Sequence, residues 1–134
     1  MSFASSEALQ KAVYGALVGS VELSDTVGGA IYDQVPAGQI PGVYVLLGPE
    51  KVLDRSDRSA SGARHEFQVS VVADSVGFAK AKSVGVIVSD VLDGADLALE
   101  RGQLIDLRFF RAVAKRVSGQ RRIDLVFRAR VDDV

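Results

Sequence analysis

The stretch Arg121-Arg122-Ile123-Asp124-Leu125-Val126-Phe127-Arg128-Ala129-Arg130-Val131 decides the fold. Ile123, Leu125, Phe127, Ala129 and Val131 share one phase, and Arg122, Asp124, Val126, Arg128 and Arg130 the other. This period of two marks a strand with one face on a core. Just upstream, Ser118-Gly119-Gln120 has turn composition, so Leu104 to Val117 reads as the first arm of a long hairpin. That arm changes phase. Ile105, Leu107 and Phe109 alternate with Asp106 and Arg108, and then Phe110, Ala112 and Ala114 continue the apolar set. A β-bulge near Phe110-Arg111 reconciles the two halves and lets Phe109 and Phe110 both pack inward.

Working outward, Phe67, Val69 and Val71 alternate with Glu66, Gln68 and Ser70, a second half-buried strand. Val43 to Leu47 is apolar without alternation, as expected of a strand covered on both faces by the domain or a partner. Between them, residues 48–63 (GPEKVLDRSDRSASGA) are polar and small with a tandem Asp-Arg-Ser repeat, which predicts one long mobile loop at about residues 50–63. Ala30-Ile31-Tyr32 is a short strand ending before Pro36. Two helices complete the chain. Leu9, Val13, Ala16 and Leu17 recur at helical spacing after Ser5 or Ser6, ending near Gly19 and Ser20. A second helix runs from a Ser75 cap to about Leu92, with Gly94 suited to the left-handed position beyond it. Its broad face of Phe78, Ala81, Val84, Val88 and Val91, with a small stripe of Gly77, Ala81 and Gly85, is read as packing on the sheet rather than on a partner. The expected fold is α+β: an antiparallel sheet with two helices packed on it, a long C-terminal β-hairpin and one long loop, in a single domain over residues 1–134.

Composition limits the functions available. A chain of 134 residues, 48% hydrophobic and 25% charged, supports one domain with one core. The formal charge of -1 argues against a protein that coats a polyanion. With no cysteine there is no disulfide, thiolate nucleophile or cysteine-ligated metal. The opening MSFASSEALQK lacks the features of a signal peptide, and no apolar run approaches the roughly 18 residues of a membrane span, so no membrane partner is expected.

Catalytic motifs are sparse. The sole histidine, His65, lies beside Glu66 at the edge of the expected loop, so a serine triad has one candidate base and nothing further in its favour; its plain reading is a polar residue at a strand edge. No Gly-x-Ser-x-Gly elbow, phosphate loop, Gly-x-Gly-x-x-Gly turn or His-Glu-x-x-His helix occurs. Asp54, Asp57, His65, Glu66 and Asp74 fit no cation-loop spacing, and arginines lie between them. No catalytic, metal or cofactor residues are assigned. Charge distribution says more: residues 1–50 carry -4, residues 51–100 carry -2 and residues 101–134 carry +5. Arg122, Arg128 and Arg130 fall on one face, suited either to nucleic-acid phosphate or an acidic protein surface, or simply to a solvated face balanced by nearby carboxylates.

The order of several segments resembles the tail terminator (tail completion, head-tail joining) proteins of long-tailed phages and gene transfer agents. The resemblance is carried by Ala8-Leu9-Gln10-Lys11-Ala12-Val13-Tyr14-Gly15-Ala16-Leu17, Ala30-Ile31-Tyr32-Asp33-Gln34-Val35-Pro36, and Pro41-Gly42-Val43-Tyr44-Val45 leading to Leu47-Gly48. His65-Glu66-Phe67, Gly77-Phe78-Ala79-Lys80-Ala81 and Phe127-Arg128-Ala129 follow in the same order. It implies a structural virion protein, not an enzyme, that forms a homohexamer ring on the head-proximal end of the tail tube. The implied partners are other copies of itself, the tail tube protein and the head-tail connector or stopper protein, with DNA passing through the ring without sequence-specific binding. The implied location is the neck of a phage or gene-transfer-agent tail, assembled in the bacterial cytoplasm. Such a family has no shared catalytic residues, and the candidate interface residues are Arg55, Asp57, Arg58, Arg122, Arg128 and Arg130. Two other classes remain open on the residues alone: a small α+β ligand- or nucleic-acid-binding module using the basic hairpin, and a small enzyme built around His65.

Overall fold

The hairpin is present in the computed structural model, which describes residues 3–38, 41–55, 62–74 and 77–132. Strands β4 (Gln103–Val117) and β5 (Gln120–Asp132) are joined by Ser118 and Gly119, both at positive φ, +51° and +79°. Two consecutive positive-φ residues form the tight turn whose twist matches the flanking strands. The ladder slips between Phe109 and Arg111, where the bulge was expected, and again between Leu104 and Asp106. This second bulge leaves Ile105 exposed.

Before the hairpin come helices α1 (Ser6–Gly19) and α2 (Val21–Val27), strands β1 (Ile31–Tyr32), β2 (Val43–Asp54) and β3 (Gly62–Ala73), and helix α3 (Ala79–Leu92). The strands form one sheet in the order β1-β2-β3-β5-β4. β1 is parallel to β2 and every other pair is antiparallel, so the sheet is mixed. The α+β class holds, with three helices instead of two. The additional one, α2, starts where α1 was expected to stop: the Ser20 hydroxyl accepts from the Leu23 amide at 3.2 Å and caps a new helix.

The long loop at 50–63 is corrected. Residues 50–54 continue β2 and residues 62–63 begin β3, in register from Glu50 opposite Phe67 to Asp54 opposite Ala63. Cross-strand hydrogen bonds are indifferent to side-chain polarity, and the backbone groups of this region pair across the ladder. The centre of the expected loop, residues 56–61, lies outside the described residues, as does the expected cap Ser75. The β2 ladder slips between Leu47 and Glu50, which accommodates Pro49, a residue with no amide to donate. Gly48 lies close against β3, since a Cβ there would meet the Gln68 Cβ at 3.2 Å.

All three helices cover the same sheet face. Leu9, Val13 and Leu17 of α1, Leu23 of α2 and Val84, Val88 and Leu92 of α3 are buried against Val45, Val69, Val71, Leu107 and Phe127. Phe127 stacks on Phe67 at 5.6 Å and takes the edge of Phe109 at 5.9 Å. α3 turns Ala81, Val84, Gly85, Val88 and Leu92 inward; of the expected stripe, Val91 is half-buried against the core and Phe78 precedes the helix, its ring beneath Lys82 and Arg121, and Gly94 follows at φ +75°. In β2, Val45 lies beneath the helices, while Tyr44, in register with Val72, belongs to the other face, where the Tyr32 ring lies 6.0 Å away. Of the run Val43–Leu47, Tyr44 and Val45 are buried while Val43, Leu46 and Leu47 are half-buried, so the expected cover on both faces is partial.

Candidate functional site

His65 is the first residue to place, as the one candidate base. It is fully buried in a central strand, opposite Val52 on one side and Ala129 on the other, which corrects its expected position at a strand edge. Its Nδ1 lies 2.9 Å from the Glu50 Oε2, and the Ser6 hydroxyl donates to the other Glu50 oxygen. The carboxylate therefore stands between serine and imidazole. A nucleophile activated by histidine needs its hydroxyl on the imidazole, with the carboxylate behind it, and this arrangement inverts that order. The trio instead fastens the start of α1 to β2 and β3. Glu66 projects from the sheet face opposite His65, and Asp74 lies beyond the far end of β3, so the carboxylates near His65 in sequence do not converge. Among the described residues no group of three His, Asp or Glu side chains could hold a metal ion.

The sheet face away from the helices gathers the predicted arginines. Register places Arg122, Asp124, Val126, Arg128 and Arg130 in one row, beside Ser70, Gln68, Glu66 and Arg64 of β3. Each of the three arginines has an anionic partner in the chain: Arg122 Nε to Asp124 at 2.7 Å, Arg128 Nε to Glu66 at 2.9 Å, and Arg130 Nε to Asp132 at 3.1 Å. The Arg128 guanidinium also lies 3.4 Å from the Phe110 ring centroid. Asp124 is the hub: Lys115 reaches it at 3.1 Å and the Ser70 hydroxyl donates to it at 2.7 Å. Burial alone would raise the Asp124 pKa, but the Ser70 hydroxyl, Arg122 and Lys115 outweigh it and hold the carboxyl below its ordinary value. Arg55 is exposed at the end of β2 and donates to the Asp54 carbonyl. Asp57 and Arg58 lie outside the described residues.

The outer half of the hairpin carries a feature the sequence reading missed. Phe109 and Phe110 are each 41% exposed, which corrects the expectation that both pack inward. The bulge turns Phe110 onto the open face with Arg111, and Phe109 onto the helix face. Every residue of β4 from Phe109 to Val117 is exposed, because the helix layer ends short of it. Its inward positions there, Ala112 and Ala114, are small, and that was the available signal. Residues 107–123 hold six basic residues and no acidic one.

The arrangement defines a class: a small α+β subunit with one hydrophobic core, whose distinctive chemistry lies on exposed, charge-polarised surfaces. Residues 11–132 match the family described as Tail completion protein gp17, and the chain belongs to that family, whose members are structural components of virions. A solved chain from the virion of a native gene transfer agent (GTA) particle is 53% identical, with a TM-score of 0.94 over 98% of this chain and 99% of that one. A second solved chain, 17% identical over 95% of each chain with a TM-score of 0.61, shares the fold. No curated protein matches the chain. No helix among the described residues is long and apolar enough to cross a membrane.

Proposed function

We propose that this chain forms a homohexameric ring on the head-proximal end of a tail tube and joins the tail to the head connector. The observation that carries the reading is the near-complete match, at 53% identity, to a chain of the native gene-transfer-agent virion. The charge polarity of the chain supports it. A ring of identical subunits needs two different patches that meet head to tail, and an acidic N-terminal half with a basic hairpin supplies unlike surfaces. Its partners are further copies, the tail tube protein and the connector or stopper protein, and DNA passes through the ring without sequence-specific contacts. Arg55, Arg122, Arg128 and Arg130 are candidate contacts to these partners, the three β5 arginines by exchanging the internal ion pairs they already make. The protein works by assembly and not by catalysis.

Electron microscopy of the purified protein mixed with tail tubes tests the reading. Rings on one end of each tube, and head-joined particles only when the protein is present, are the expected result. Bare tube ends together with a strict monomer at high concentration overturn it. Six basic residues without an acid over residues 107–123 favour one rival, a nucleic-acid-binding module. Its mark would be DNA affinity falling steeply with salt in the isolated subunit.

A further inference from the structure

Between α3 and the outer half of the hairpin lies an apolar groove of about 350 Å³. Ala112, Ala114 and Gly85 form its floor, Val86 and Phe109 its walls, and Lys82 stands on its rim. The walls are open to solvent, Val86 at 59% and Phe109 at 41%. At the opposite edge of the sheet α1 packs on β1 and α2 on β2. The corner between these helices exposes apolar side chains of matching character: Tyr14, Val18 and, at 73%, Val21. Exposed Glu22 and Asp25 flank that corner, whereas exposed Lys82 and Arg116 stand on the groove side of α3 and β4, with Asp93 at the far end accepting from the Phe109 amide.

We infer that the groove receives the α1–α2 corner of a second copy of this chain, which is the contact that closes the ring. The inference rests on the ring reading and names its surfaces. Three observations select a second copy as the occupant. The charges around groove and corner are opposite, and complementary charge fixes register while suppressing wrong partners. The floor and walls are apolar, so a phosphate backbone would leave them uncovered while an apolar corner fills them. The two patches also sit at opposite edges of one sheet, so no subunit satisfies its own groove, and repetition of the contact is head to tail.

The absence of cysteine from the chain makes the test clean. Val21→Cys and Ala112→Cys are placed together in one chain, and separately in two chains. Under mild oxidation the doubly substituted chain is expected to give a ladder of cross-linked species ending at the closed ring. The two singly substituted chains give dimers when mixed and no dimers when alone, because a disulfide requires Cα atoms within about 7 Å. In a second arm, Lys82→Glu/Arg116→Glu lowers the ring population at least about tenfold, and Glu22→Lys/Asp25→Lys supplied in the same chain restores it. Circular dichroism melting of each variant confirms that the subunit remains folded. Wild-type rings without a 21-to-112 cross-link overturn this contact and leave the ring reading standing. Wild-type subunits that form rings neither in solution nor on tube ends overturn the ring reading itself. Rings unaffected by Lys82→Glu/Arg116→Glu, with only DNA retention lost, reassign the groove to nucleic acid and overturn the inference.

Discussion

Replacing Arg128 by glutamate sets a carboxylate directly against Glu66, its register partner on β3. In the native protein Arg128 Nε lies 2.9 Å from Glu66 Oε1, and the guanidinium is 3.4 Å from the Phe110 ring centroid. Three contributions change at once. The partly exposed ion pair is lost, about 0.5 kcal/mol. The cation–π contact is lost, about 0.5–1 kcal/mol at an exposed site. Like charges then face each other across two strands, about 0.5–1 kcal/mol more. The total of about 2 kcal/mol exceeds the roughly 0.5 kcal/mol of an ordinary surface charge change. For a chain of this size 1 kcal/mol moves Tm by about 3–4 °C, so Arg128→Glu should melt about 6–8 °C below wild type.

The exchange Glu66→Arg/Arg128→Glu separates these contributions. It restores the ion pair and removes the repulsion but leaves Phe110 without its cation, so the deficit should shrink to about 1 kcal/mol, about 3 °C. Differential scanning calorimetry at low salt is the assay, repeated at high salt, where the repulsive share should fall because exposed charges are screened over about 8–10 Å. A single variant melting within about 1 °C of wild type, or an exchange variant no better than the single one, refutes the reasoning. Assembly assays on Arg128→Glu/Arg130→Glu must accordingly be run below the lowered Tm, since a loss of completed particles at higher temperature would report folding and not the interface.

Phe127→Ala, which removes a fully buried ring stacked on Phe67, should cost about 3–5 kcal/mol in urea unfolding, while Phe110→Ala on the open face should cost about 1 kcal/mol or less. Ser118→Asn should stabilise the hairpin by about 0.5 kcal/mol, because Asn tolerates the positive φ of +51° better than serine; a lowered Tm would contradict the turn geometry. The folded pKa of Asp124 is lowered, so its stabilisation is present above the unfolded value of about 4 and is lost as pH falls through the folded value. Asp124→Asn should therefore be less stable than wild type at neutral pH and show a flatter acid limb below about pH 4, and parallel stability curves would remove Asp124 from acid sensitivity.

What could be read from the sequence was what local periodicity encodes. In β5 the apolar phase is unbroken from Ile123 to Val131, and the burial follows it. The turn at Ser118-Gly119 and the slip at Phe110 were legible for the same reason, since each interrupts a pattern. The limits of β2 and β3 were not legible, because Glu50, Lys51, Asp54, Arg64 and His65 have the composition of a solvated loop. Glu50 and His65 are accommodated by each other and by Ser6, 44 residues from Glu50 in sequence, and that relation exists only once the strands are in register. Helix α2, of 7 residues, is too short to show a periodicity, and Ser20 signals both an end and a beginning. Phe109 and Phe110 were misplaced for a different reason. A bulge sends its two residues to one face, so Phe110 travels with Arg111, and no local pattern reports how far the helix layer extends over β4.

The same geometry separates two kinds of positive charge that sequence alone treats alike. Arg122, Arg128 and Arg130 are held by Asp124, Glu66 and Asp132, so a partner that engages them must first displace carboxylates whose geometry is already good. An exchange of one ion pair for another yields little net free energy, although it still contributes to orientation and rate. The outer hairpin differs in its excess of charge: over residues 107–123 six basic side chains occur with no acid in the segment, and although Arg108 pairs with Asp106 and Lys115 and Arg122 share Asp124, cations outnumber these carboxylates beside exposed apolar surface. There, an incoming carboxylate meets a net positive surface, and the apolar contact contributes in proportion to the area covered. A subunit organised in this way keeps its sheet face electrostatically quiet in the free state and concentrates its capacity for association at one edge. That distribution favours one dominant directional contact over many weak ones, as a closed ring requires.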